Sequence, residues 1–256
     1  MSFGLISAYA ITIMLIGVWL FSVIRKDAGI IDVFWGLGYG LIAVLAIANV
    51  QSLSPYVFAL YVLVILWAVR LGGHLLIRWR KEEEEDKRYQ SMRRNAGPGF
   101  WWKSLYIVFG LQGLLMYLVA QPLIQLFPFA ATTPAAPTAF VVFLIIAVIG
   151  LLIETISDIQ LTAFRAAKTG GILKSGLWAR SRHPNYFGDA LFWWGISFAA
   201  ISAAPEVIWT LFAPIIMNVL LVRVSGAALL EKYMSKREGY AEYQAKTNRF
   251  IPKIFN

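Results

Sequence analysis

Cysteine is absent from the chain, so disulfides, thiolate metal sites and cysteine nucleophiles are excluded. Histidine is nearly absent. His74 and His183 are the only two, too few for a histidine-rich metal centre. Charge is scarce as well. Asp, Glu, Lys and Arg make up 14% of the 256 residues, where a soluble domain carries about 25%. Hydrophobic residues reach 59% and the mean hydropathy is +0.66. A surface so poor in polar groups is solvated by lipid rather than water.

What remains is organised in long apolar runs. Windows of spanning length fall at about 5–24, 33–50, 55–77, 100–126, 139–157, 186–204 and 206–224. The first has no charged start in Met1–Ala10 and is long enough to span, so it reads as a membrane helix rather than a cleavable leader. The last two are separated only by Ala203–Ala204–Pro205, a tight hairpin with Pro205 as the stop. The expected fold is therefore all-α: one integral membrane domain over residues 1–256, a multi-pass bundle of about seven helices.

The net charge of +9 could point to nucleic acid. The positions of the bases point elsewhere. Every Lys and Arg except Arg70 falls after helix 1, in and beside the loop after helix 3, after helix 5, or in the C-terminal tail. The intervening loops have none. This alternation predicts an N-terminus outside and a C-terminus in the cytoplasm, consistent with a bacterial inner membrane, and makes nucleic acid an unnecessary partner. Lipids are partners by composition. The acidic run Lys81–Asp86 reads as a solvated helical face with i,i+4 pairs. Pro128–Pro137 reads as an external loop.

Ionisable residues inside lipid need a reason. Glu154 and Asp158 are spaced i,i+4 at the end of helix 5, with Arg165 beyond them. Together they could hold a ligand with sugar hydroxyls and a phosphate; a salt-bridged helix end is the plainer reading. Pro184 suits the first turn of helix 6. That helix start, with Arg180, Arg182 and His183 around it, would attract an anion, and an anionic lipid headgroup is the alternative guest. Asn185 and Asp189, i,i+4, can point into one pocket. The tail Ala227–Asn256 interleaves Tyr233, Tyr240, Tyr243 and Phe250 with bases, as an amphipathic interfacial helix or a lid. Arg223 and Glu231 could reach the same pocket. Asp32 opens helix 2, and Arg70 and His74 on helix 3 approach the same half. This reads either as a buried Asp–Arg pair or as a proton-donating site with Asp32 and His74 as catalytic candidates. Gly36, Gly38 and Gly40 sit inside a membrane helix, where close packing explains them better than a dinucleotide loop.

The block Ser181–Arg–His–Pro–Asn–Tyr–Phe–Gly188–Asp189 and the ending Tyr240–x–x–Tyr243…Thr247–Asn–Arg–Phe–Ile–Pro252 resemble a bacterial membrane branch of the steroid 5-alpha-reductase superfamily. Asp32–x–x–Trp35–Gly36, Arg70–Leu71, Asp86–x–Arg88–Tyr89 and Gln112 fit the same branch. The resemblance covers most of the chain and is strongest over residues 150–256, the cofactor-binding part. It implies seven membrane helices, NADPH bound on the cytoplasmic side, and reduction of a carbon–carbon double bond conjugated to a ketone in a lipophilic, steroid-like or isoprenoid substrate. Asp158, Arg165, Asn185, Asp189 and Arg223 match cofactor-contacting positions, and Glu154, Arg182, His183, Tyr186, Glu231 and Tyr243 complete the expected cofactor site. Asp189 stands where the pattern usually has Glu, Gln160–Leu161 where it often has Gln–Lys, and Phe164–Arg165 where Phe–Lys is common. Asp32 stands as counterpart of the Glu that handles the ketone. Trp67 stands near the position of its Tyr partner, which leaves His74 as the substitute donor. The alternative is a methyltransferase using S-adenosylmethionine (SAM), similar to the isoprenylcysteine carboxyl methyltransferases, which share the Arg–His–Pro–x–Tyr block. A lipid-binding scaffold is a third reading, and it leaves the intramembrane acids unexplained. No metal is expected.

Overall fold

The computed structural model describes residues 1–168, 170–224 and 226–253. Among these the chain is all-helical; the one ladder contact is a lone parallel bridge between Ser181 and Asn248. It divides into two compact units, Met1–Ala135 and Ala136–Asn256, within the Ala/Thr/Pro-rich segment.

The first unit holds α1 (Phe3–Arg25), α2 (Ile30–Asn49), α3 (Pro55–Lys81), α4 (Lys87–Ala96), α5 (Phe100–Ser104), a π-helical stretch Leu105–Gly110, α6 (Leu111–Val119) and α7 (Gln121–Leu126). The second holds α8 (Pro137–Ala166), α9 (Pro184–Ala203), a 3-10 stretch Pro205–Leu211, α10 (Phe212–Val219), a π-helical stretch Leu220–Val224, α11 (Ala227–Met234) and α12 (Tyr240–Lys246). Pro55, Pro137 and Pro184 each sit at a helix start, where a missing N–H costs no hydrogen bond.

Six helical stretches are long and apolar enough to cross a membrane: Phe3–Arg25, Ile30–Asn49, Pro55–Lys81, Lys87–Val119, Pro137–Ala166 and Pro205–Val224. The chain is an integral membrane protein. The expected span at 186–204 forms the 20-residue α9, which is not one of the six. Its Asn185, Gly188, Asp189, Gly195 and Ser197 dilute its apolar character, and it is buried along most of its length instead. It still reverses the chain as a span does: the Ala136 N–H donates to the Ser202 carbonyl at 2.9 Å, so α8 starts where α9 ends.

Within each unit the basic segments collect at one end. In the first, Arg93 donates to the Lys26 carbonyl at 3.0 Å, while the base-free loops meet at the other end through Ser54 N–H and Ala130 O at 2.9 Å. In the second, Arg249 donates to the Val222 carbonyl at 3.2 Å and the Lys253 N–H to Arg180 O at 3.0 Å. The acidic run departs from its expected form. Arg78 and Glu82 do make an i,i+4 pair at 3.3 Å, but α3 stops at Lys81. Glu85 turns inward to accept from the Ala28 N–H at 2.8 Å and from Arg93 at 2.7 and 2.9 Å.

Lipid offers little driving force for apolar helices to associate, so close backbone approach must supply it. In α2, a Cβ on Gly40 would lie 2.8 Å from the Ala68 Cβ of α3, which is the packing role expected of the glycine series. Between α8 and α9 the fit is tighter. A Cβ on Gly150 would lie 2.5 Å from Phe192 N, one on Gly188 2.5 Å from Glu154 N, and one on Gly195 2.6 Å from Ala147 N. These neighbours are backbone and cannot rotate away. Gly188→Val is expected to lower the thermal midpoint of the detergent-solubilised protein strongly, at a cost of about 3 kcal/mol or more. Gly17→Ala, with open space around it, should leave the midpoint unchanged in the same melt.

Candidate functional site

In the first unit the polar residues meet at the basic end. Asp86 caps α4, its carboxylate accepting from the Arg88 N–H at 2.8 Å. The same carboxylate accepts from Arg88 Nε at 2.9 Å, while Arg88 Nη2 reaches Asp32 Oδ2 at 2.5 Å. The other Asp32 oxygen accepts from the Tyr89 hydroxyl at 2.6 Å, and Gln112 donates to the Tyr89 oxygen at 3.0 Å. Arg88 also lies over the Tyr89 ring at 5.2 Å. Nearby, Asp27 accepts from the Trp79 indole N–H at 2.7 Å and from the Gly29 N–H at 2.8 Å, fixing the turn into α2. Burial alone would raise the Asp86 acid; hydrogen bonds and charge from Arg88 outweigh it and hold the carboxyl below its usual range.

Asp32 therefore has defined partners, Arg88 and Tyr89, while His74 is half-buried on α3 and does not line the cleft beside Asp32. Tyr89 is a buried phenol on a carboxylate, a donor that the reading of His74 passed over. The motif Asp86–x–Arg88–Tyr89 was visible in the sequence. Its proximity to Asp32 was not, because 57 residues separate the pair.

In the second unit Glu154 and Asp158 are buried on α8, and Asp189 is buried on α9. Asn185 donates to Asp158 Oδ1 at 3.1 Å. The Asn185 side-chain oxygen is buried without a hydrogen-bond partner. Such an orphan acceptor is costly unless something donates to it. Arg165 and Arg223 are exposed, as is Arg180. Tyr186 stacks on His183 with ring centroids 5.7 Å apart.

The remaining predicted residues build a strap. Arg182 pairs with Glu231 at 2.7 Å and donates to the carbonyls of Gln244 and Thr247 at 3.1 and 2.6 Å. Arg249 approaches the same Glu231 at 3.4 Å. Tyr243 donates to the Trp178 carbonyl at 2.5 Å, and Ser181 to the Phe250 carbonyl at 2.8 Å. The tail is thus tied down onto residues 178–183. This changes the expected anion site at the α9 start. Arg182 is committed to the tail. His183 is buried, which pushes its imidazole down to about 4 against the opposing pull of Glu231, so it is neutral at pH 7. Arg165, Arg180 and Arg223 are among the exposed bases of this unit. Among the described residues no group of three or more His, Asp or Glu could hold a metal.

A family model matches residues 18–247, and its description reads Protein of unknown function (DUF1295). No curated protein and no solved structure matches the chain.

His183 makes a pH prediction. The unfolded imidazole takes up its proton near 6.5 and the folded one near 4. Between those values the unfolded chain binds more protons, so stability falls as pH drops from 6.5 toward 4. His183→Gln should flatten that fall in melts run across the window. An unaltered slope would show that the imidazole is not buried in neutral form.

Proposed function

We propose that this chain, which belongs to the DUF1295 family, is a membrane-embedded NAD(P)H-dependent reductase of a carbon–carbon double bond conjugated to a ketone in a lipophilic substrate. The observation that carries the reading is Tyr89, a buried phenol held between Asp32 and Gln112. Reducing an enone develops negative charge on the ketone oxygen, and a positioned acid stabilises it. Tyr89 is that acid. Its O–H turns from Asp32 to the ketone oxygen, the Gln112 amide supports the developing phenolate, and Arg88 balances Asp32.

In this reading the second unit holds the nucleotide. Asn185 offers its orphan oxygen to a ribose hydroxyl or carboxamide N–H, and the carboxylates of Glu154, Asp158 and Asp189 can accept from further hydroxyls. Arg165, Arg180 and Arg223 suit the phosphates. NADPH, when bound, supplies the hydride. Arg182, His183, Glu231 and Tyr243 act through the strap, by fixing the approach to Asn185. Methyl transfer from SAM to a carboxylate requires no acid and would leave Tyr89 without a task. By the positive-inside rule the basic ends face the cytoplasm, in a bacterial inner membrane.

Purified protein titrated with NADPH should show saturable binding, and SAM should not compete. Asn185→Ala and Arg165→Ala should each weaken NADPH by at least ~10-fold, or ~1.4 kcal/mol. Tyr89→Phe should keep NADPH affinity within about twofold, ~0.4 kcal/mol, and abolish turnover. Saturable SAM binding with no NADPH binding would overturn the reading.

A further inference from the structure

Beside Asp32 the first unit has a cleft, lined by Asp32, Val33, Leu75, Arg78, Glu82 and Asp86 among others. Its volume is about 10 Å³, room for about one water and far too little for a lipid or nucleotide. Its lining mixes apolar Val33 and Leu75 with the polar Asp32, Arg78, Glu82 and Asp86. Its outer members are wet: the side chains of Arg78 and Glu82 are 37% and 45% exposed. Asp32, whose side chain is 23% exposed, is hydrogen-bonded to the Tyr89 hydroxyl, which is buried. The cleft thus brings the exposed α3 end and the Asp32 carboxylate together around room for about one water, and one hydrogen bond carries on to a buried phenol.

We propose that this cleft is a proton port, through which water at the basic end of the unit re-protonates Tyr89 by way of Asp32. The proposal rests on the reading of Tyr89 as the proton donor. After Tyr89 has given its proton to the substrate oxygen, a phenolate is left. Asp32 passes to it a proton taken from the water in the cleft, and a proton from bulk neutralises the hydroxide left behind. One O–H bond breaks and one forms at each transfer, and no electrons are exchanged with a redox partner. The groups that surround Asp32 serve this role. Arg88 and Asp86 come from α4 and its cap, Tyr89 from α4, and Arg78 and Glu82 from the α3 end. Arg88, paired with Asp32, holds the carboxylate in place between transfers.

The absence of cysteine makes the test clean. Leu75→Cys and Val33→Cys, made singly in the full chain in sealed vesicles, are exposed to methanethiosulfonate ethylammonium from either face. A cysteine at the fully buried Leu60 of α3 is the control. The expected result is modification of at least one port cysteine ~10-fold or more faster than the control (a ~1.4 kcal/mol difference in barrier), and from the basic face alone. In parallel, infrared exchange in D2O follows the Tyr89 O–H, assigned by its loss in Tyr89→Phe. Leu75→Trp, which fills the cleft, should slow that exchange ~10-fold or more. Port cysteines no faster than the control, labelling from the opposite face, or exchange unchanged by Leu75→Trp would each overturn the port. None of these readouts depends on NADPH. Loss of the reductase reading would appear in the nucleotide titration, and loss of the port in labelling or exchange.

Discussion

A polar group in hydrocarbon must bring its own partner. Much of this structure follows from that constraint. Proline is confined to helix starts and connections or to places where the helix geometry already shifts, as at Pro205. Apart from Arg70 within α3, the basic segments are kept to one end of each unit. The buried Asp158 of α8 comes with Asn185 beside it, and Asp32 comes with Arg88 and Tyr89. Where no polar partner can help, glycine lets backbones touch, as at Gly150, Gly188 and Gly195. The Val222 carbonyl of the π-helical stretch accepts from Arg249 of the tail.

The same constraint explains what could be read from residues alone. Apolar runs located the first three helices and the start of α8 closely, because length and hydropathy are one-dimensional properties, while α8 continues past the expected 157 to Ala166. They missed α4, whose residues Lys87–Ala96 are polar, although it leads into the stretch that ends at Val119. They also gave α9 no distinction from its neighbours, since the glycines that let it sink against α8 count little in hydropathy. The acidic run failed as a single helical face because Glu85 and Asp86 find backbone donors in and around a turn. Long-range pairs were the least legible. Nothing in the spacing ties Asp32 to Tyr89, or Arg182 to Glu231 and Thr247, across 49 to 65 residues.

The two units divide the polar chemistry differently. The first holds a carboxylate, a guanidinium and a phenol in one hydrogen-bonded set, with a water-sized opening to solvent. That arrangement suits handling a proton. The second holds buried acceptors, an unfilled amide oxygen and exposed bases, and it uses its tail to fix the segment before α9. In the proposed reading this unit holds the nucleotide. Arg182 shows why motif and role must be separated. It belongs to the most recognisable stretch of the chain, and its work is to anchor the tail.

Label transfer tests the reductase account whatever the natural substrate is. Membranes containing the protein are incubated with NADPH deuterated at C4 of the nicotinamide, and the extracted lipids are examined by mass spectrometry. The account predicts deuterium in a reduced lipid with the wild-type chain and none with Tyr89→Phe. Lipids that stay unlabelled with the wild-type chain, while labelled SAM transfers its methyl group to them, would contradict it.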